Sequence, residues 1–181
     1  PTNAIVNGES EVARVVVTDE QSASGKRSLK FTDAPGLEHN YDPIMQYRPV
    51  ARQGIAHGSF YIRMGKDAIF WHEWRDAARP YQRGPSIRIT AQGVLQAANR
   101  DLMTVPLDTW IAVNIVCGLG DKADGTYDLT VTLRGQPPRT FEDLPTGSKD
   151  FKTLQWYGFI SLGEKEAKLY VDDIKLEVEE P

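Results

Sequence analysis

From Ala68 to Thr90 the chain carries two short runs in which apolar and polar residues alternate, separated by a polar loop that holds Pro80 and Gly84. Alternation at period two marks a strand with one buried face. Along Ile69–Asp76 it sets Trp71, Glu73 and Arg75 on one side and Phe70, His72, Trp74 and Asp76 on the other. In the second run Ile87 and Ile89 face a core, leaving Ser86, Arg88 and Thr90 opposite. Two later runs repeat the pattern. Ile111, Val113, Ile115 and Cys117 share a face of Thr109–Cys117, and Tyr127, Leu129, Val131 and Leu133 share a face of Thr126–Arg134. Further strands are predicted at Ala13–Thr18, Ser28–Thr32, Ile44–Tyr47, Ser59–Met64, Val94–Ala98, Leu154–Ser161 and Lys168–Val178. Gly, Pro and Asp turn signals separate them, as at Ser24-Gly25-Lys26, Ala34-Pro35-Gly36 and Ala123-Asp124-Gly125. About ten to twelve short strands with turns this frequent predict an all-β fold, a two-sheet antiparallel β-sandwich of jelly-roll type. Leu37–Asn40 reads as an exposed loop, and the acidic stretch Glu177–Pro181 as the start of a linker.

The length of 181 residues suits one domain, 1–181, with room for a sizeable core. A hydrophobic content of 40% and a charged content of 25% are those of a folded globular chain. The net charge of −4 and the lack of a basic stripe argue against a nucleic-acid partner, though a local arginine cluster is still compatible with an acidic glycan. No run approaches the roughly eighteen apolar residues of a membrane span. Cys117 is the single cysteine, so no disulfide forms within the chain, and its place in an apolar run makes it a core residue. The chain opens at Pro1 without an initiator methionine or a signal-peptide pattern, which fits a mature or excised segment whose targeting signal, if any, has been removed.

Ser59–Met64 buries Phe60, Ile62 and Met64 and turns Tyr61 and Arg63 outward. Paired with Ile69–Asp76, it would complete a polar face of Tyr61, Arg63, Trp71, Glu73, Arg75 and Arg88. Rings stack on the apolar faces of sugars, carboxylates accept from hydroxyls, and guanidinium forks bind hydroxyls or acidic groups, so these six are the candidate ligand-binding residues. Trp71→Ala or Arg75→Ala is then expected to abolish glycan retention with little change in melting temperature. The same residues also suit a solvated face with ion pairs such as Glu73 with Arg63 or Arg88. A one-residue slip of register would present His72, Trp74 and Asp76 instead.

Catalysis finds little support in these runs. Retaining glycoside hydrolysis needs two carboxyl groups roughly 5 Å apart, and Glu73 has Arg75 where the second acid belongs. A polysaccharide lyase needs a Tyr or His base beside a cation, for which Tyr61 with Arg63 or Arg88 is the available set. His39, His57 and His72 show no metal-ligand spacing, and no phosphate-cradling loop or nucleophile elbow occurs, so nothing points to zinc or an organic cofactor.

Near the start, Ser24-Gly25-Lys26-Arg27-Ser28-Leu29-Lys30-Phe31 leads from a turn into a strand, and near the end Leu169-Tyr170-Val171-Asp172-Asp173-Ile174-Lys175-Leu176 carries two acids at its centre. Together these resemble the paired terminal strands of bacterial carbohydrate-binding jelly rolls, and the chain as a whole resembles the concanavalin A-like lectin/glucanase superfamily. The resemblance implies a structural calcium held by Asp172, with Asp19 or Glu20 and loop carbonyls completing an oxygen shell. It also implies a non-catalytic, lectin-like accessory module that binds a polysaccharide or oligosaccharide beside other domains of its parent protein. The glucanases' paired acids have no match at Glu73-Trp74-Arg75. A lyase acting on an acidic glycan, and a module that packs against a neighbouring domain, are the alternative readings.

Overall fold

A computed structural model describes residues 3–179 and contains two antiparallel sheets of seven strands each. The first sheet runs, edge to edge, β1 (Ile5–Asn7), β4 (Ile44–Tyr47), β13 (Trp156–Ser161), β6 (Phe70–Arg75), β7 (Arg83–Ile89), β8 (Val94–Ala97) and β9 (Arg100–Thr104). The second runs β12 (Arg139–Pro145), β11 (Thr126–Leu133), β10 (Trp110–Leu119), β5 (Gly54–Met64), β14 (Ala167–Glu179), β3 (Ser28–Asp33) and β2 (Arg14–Thr18). The predicted all-β sandwich is therefore the observed one, and the only helical turn among the described residues is a 3-10 segment at Gly120–Lys122.

Alternation predicted the buried faces. Phe70, His72 and Trp74 of β6, and Ile87 and Ile89 of β7, point into the core, where they meet Phe60, Ile62 and Met64 of β5 and Ile111, Val113 and Ile115 of β10. The slipped register is excluded, because His72 and Trp74 are wholly buried between the sheets. Phe60 lies 4.8 Å from the His72 ring and 5.1 Å from Phe159, while Tyr157 meets His72 edge-on at 4.6 Å. Close approach of the sheets also requires Gly58, since a Cβ there would lie 2.6 Å from the Trp74 ring.

One predicted pairing does not form. Ser59–Met64 belongs to a longer β5 whose two edges are already taken by β10 and β14, so Ile69–Asp76 has no free edge there to join. After Met64 the chain crosses at Gly65–Ile69 to the first sheet, where β6 lies between β13 and β7. The acidic end is not a linker as far as Glu179, because β14 continues through it, paired with β5. Residues 180 and 181 lie outside the described residues.

Inside the core, the Trp74 indole N–H donates to Nε2 of His72 at 2.8 Å, which requires that nitrogen to be unprotonated. Burial pushes the His72 pKa down to about 3, opposed only by the Gly158 carbonyl. The unfolded chain, whose imidazole titrates near its ordinary 6.5, thus binds the proton more readily than the folded one. Stability from this site is complete above about pH 6.5 and is lost as pH falls toward 3. His72→Gln keeps an acceptor for the indole but does not titrate. Urea unfolding at pH 7, 5 and 4 should show a weaker acid-side loss of stability in the variant than in the wild type, whatever its stability at neutral pH.

Candidate functional site

The outward face of the first sheet is built in rows across its strands. Trp71 stands between Ile160 and Arg88, and Arg88 in turn opposes Gln96. Glu73 stands between Gly158 and Ser86, and Arg75 between Trp156 and Arg83. Sequence alternation brings Trp71, Glu73, Arg75 and Arg88 to this face, as expected. Tyr61 and Arg63 are not on it. They stand on the outward face of the second sheet, because β5 pairs with β10 and β14.

The four residues that do share the face are not equally available. Glu73 is 1% exposed although it points away from the main core. Its carboxylate accepts a hydrogen bond from Arg75 Nε and lies 3.7 Å from Arg83 Nη1. The Arg75 guanidinium is sandwiched between Tyr81 and Trp156, at 4.3 and 4.1 Å from their ring centres. Trp156 can lie there because residue 158 is glycine, where a Cβ would fall 1.8 Å from its indole ring. Glu73 and Arg75 thus form a covered structural pair. The expected ion pairs of Glu73 with Arg63 or Arg88 give way to Arg75 and Arg83.

Beside this pair lies an open groove of about 650 Å³. Trp71, Arg83, Arg88, Gln96 and Asp101 line its sheet side, and Pro145–Gly147 form a wall that crosses from the end of β12. Backbone bonds hold that wall in place, from Gly147 N–H to the Gly84 carbonyl at 3.0 Å and from Ser148 N–H to the Arg83 carbonyl at 2.6 Å. The Trp71 indole N–H donates to Ser86 Oγ at 2.7 Å, which fixes the orientation of its half-buried ring. Asp101 accepts from the Gln96 amide at 2.7 Å. Arg88 is exposed and makes no ion pair among the described residues. The groove therefore presents a fixed indole, two guanidinium groups and amide or carboxylate acceptors, a set suited to binding a polar ligand that carries negative charge.

Sequence reasoning passed over Arg83, Gln96, Asp101, Tyr81 and Trp156. Gln96 was within reach, since alternation along the predicted strand at Val94–Ala98 places it outward. Asp101 was hidden because β8 and β9 join through Ala98 and Asn99 at φ +50° and +57°, a turn whose usual Asn-Gly signal is absent. Trp156 and Tyr81 reach Arg75 only through tertiary packing. Chemically, the groove lacks a catalytic pair of acids, because Glu73 is covered and paired. His72, the histidine nearest in sequence, faces the core. Tyr127, whose hydroxyl donates to the Ser86 carbonyl at 3.0 Å, is buried and its pKa is pushed up to about 12.

Two of the three acids proposed for calcium, Asp172 and Glu20, have other partners. Asp172 Oδ2 accepts backbone N–H groups from Ala23 at 2.8 Å and Ser24 at 3.3 Å, so donors already occupy the direction a cation would take. Glu20 binds the Lys30 ammonium at 2.6 Å and the Tyr170 hydroxyl at 3.0 Å. Among the described residues no group of three His, Cys, Asp or Glu side chains is placed to hold a metal ion. Asp172 fastens the Ala23–Ser24 turn to the last strand.

No family model matches the chain, and no curated protein matches it. Solved structures do. An endo-β-1,4-glucuronan lyase from the fungus Trichoderma reesei superposes with a TM-score of 0.69 at 11% identity, over 97% of this chain and 90% of that one. A carbohydrate esterase from the Shiga toxin-encoding bacteriophage phi24B gives 0.61 at 12% identity, over 97% and 89%. A marine alginate lyase from Aplysia kurodai gives 0.57 at 9% identity, over 91% and 87%. At such identities the likeness concerns the fold, a two-sheet antiparallel sandwich consistent with the concanavalin A-like architecture that the chain as a whole resembles.

Proposed function

We propose that this protein is a carbohydrate-binding module that holds a polysaccharide bearing acidic groups in the groove of the first sheet. The observation that carries the reading is the Trp71 indole, oriented by Ser86, beside the unpaired Arg88. The ring offers a stacking surface, Arg88 and Arg83 offer forks for carboxylate or sulfate, and Gln96 and Asp101 bind hydroxyls. Fold neighbours named for glucuronan and alginate support a carbohydrate ligand. Their chemistry favours a site of action outside the cytoplasm, secreted, periplasmic or at the cell surface.

A lyase is the second reading, favoured by Tyr81, whose half-exposed ring stacks on Arg75 at the edge of the same face. It replaces Tyr61 as the candidate base, because Tyr61 lies on the opposite sheet. Lyase action on a panel of uronate polysaccharides would create unsaturated ends that absorb in the ultraviolet, and Tyr81→Phe would abolish them. A panel without absorbance change removes this reading.

Two sets of variants test the groove. Trp71→Ala and Arg88→Ala should each weaken retention on acidic polysaccharide by about tenfold or more, with stability changed by only about 0.5 kcal/mol in Arg88→Ala. Retention that persists in both variants would overturn the assignment, and an absence of retention by the wild type on any glycan would point to a packing surface. Arg75→Ala should behave differently. Removing it strands the buried Glu73 charge, and chemical denaturation should show a loss of about 3 kcal/mol. A stability loss no larger than that of Arg88→Ala would show that Glu73 and Arg75 are not the structural pair described.

A further inference from the structure

The outward face of the second sheet carries a cationic group whose surroundings leave it unsatisfied. Arg63, on central strand β5, is flanked by Trp110 on β10 and Tyr170 on β14. Those two rings approach to 6.5 Å across the strand between them, so they close over the Arg63 stem. Nε of Arg63 is shielded from solvent and has no hydrogen-bond partner, and the guanidinium's one polar contact is a 3.5 Å approach of Nη2 to the exposed Asp108. Of the five donors of the guanidinium, Nε is thus the one buried without an acceptor, and leaving a buried donor unpaired is costly. The adjacent cation is treated differently, since both carboxylate oxygens of Glu20 bind Lys30, at 2.6 and 2.9 Å. Tyr170 adds a third bond to the same carboxylate, which leaves Glu20 committed away from Arg63.

Next to Arg63 the surface opens into a pocket of about 400 Å³ lined by Lys66, Lys168, Gln21, Tyr170 and two exposed acids, Asp108 and Glu166, so that with Arg63 three cations stand against two carboxylates. We infer that this pocket is a second ligand site, on the opposite sheet from the groove, which takes an oxyanion, the carboxylate or sulfate of an acidic saccharide. Arg63 supplies the fork, held rigid by the two rings. Lys168 and Lys66 supply further positive charge, and Gln21 an amide donor. Asp108 is an exposed side chain whose 3.5 Å contact to Arg63 an incoming oxyanion replaces. The pocket does not depend on the groove being a glycan site, since no residue is shared.

Titration of the whole protein with methyl glucuronide, sodium sulfate and methyl glucoside, followed by NMR at the arginine Nε–H and tryptophan indole N–H resonances, tests the site. Saturable shifts of the Arg63 and Trp110 signals with the two anions, and none with the neutral glucoside, are expected. Tighter binding of the glucuronide than of sulfate would assign the sugar ring a share of the contact, and equal binding would assign the anion alone. Arg63→Ala should remove the Trp110 shift, and Lys168→Ala, which alters only an exposed side chain, should weaken binding several-fold. Trp71→Ala should leave the titration unchanged, so a failure of the groove reading is visible separately. Absence of a saturable shift with either anion, equal shifts with the glucoside, or an unaltered affinity in Lys168→Ala would overturn the inference.

Discussion

A carboxylate buried on the outward face of a sheet sets the conditions for everything around it. Glu73 lies in the middle of β6, whose inward side is already committed to Phe70, His72 and Trp74, so this strand is enclosed on both faces. A buried ionised carboxylate without partners would cost several kcal/mol, and the surrounding residues are arranged to prevent that. Arg75 and Arg83 bring positive charge from the next row, Trp156 and Tyr81 hold Arg75 from both sides, and Gly158 leaves room for the indole. This cluster fixes the spacing of β13, β6 and β7. It thereby fixes where Trp71 and Arg88, one row further along, can stand.

The division of labour among the arginines follows from that constraint. Arg75 is held between two rings with its Nε committed to Glu73, and has little freedom to bind anything else. Arg83 sits at the edge of the cluster, close enough to stabilise Glu73 yet half-exposed toward the groove. Arg88 lies outside the cluster altogether and faces solvent. A gradient from structural to available charge therefore runs across a single face. A ligand's negative group would meet Arg88 first, then Arg83, and would be kept from Arg75 by Tyr81 and Trp156.

Period-two alternation made most of this fold legible in the sequence. It identified the inward faces of β6, β7, β10 and β11, because a half-buried antiparallel strand leaves a pattern that no other element shares. The short or polar edge strands β1, β9 and β12 escaped it, since an edge strand buries too little to imprint a pattern. β12, with Glu142, Asp143 and Pro145 and a bulge at Asp143, shows the composition that keeps an edge from pairing further. The site was legible in part. Alternation tells which residues of one strand share a side, but not which strand lies next to which. The pairing of β5 with β6 failed for that reason, since both edges of β5 are filled by strands from much later in the chain.

That failure has a physical consequence for how the protein meets its surroundings. Tyr61 and Arg63 carry the same chemistry as Trp71 and Arg88, a ring and a guanidinium two positions or one strand away, yet the crossover at Gly65–Ile69 puts them on opposite faces of the sandwich. A sandwich with a closely packed core transmits little between its outer faces beyond rigidity. If both faces bind as proposed, they would contact a long polymer at points that the core holds at fixed separation. Any gain in avidity would then come from geometry rather than from communication between the sites, and would vanish for a saccharide too short to reach both. On that reading, a dependence of retention on chain length would follow from the fold's topology as much as from either set of contacts.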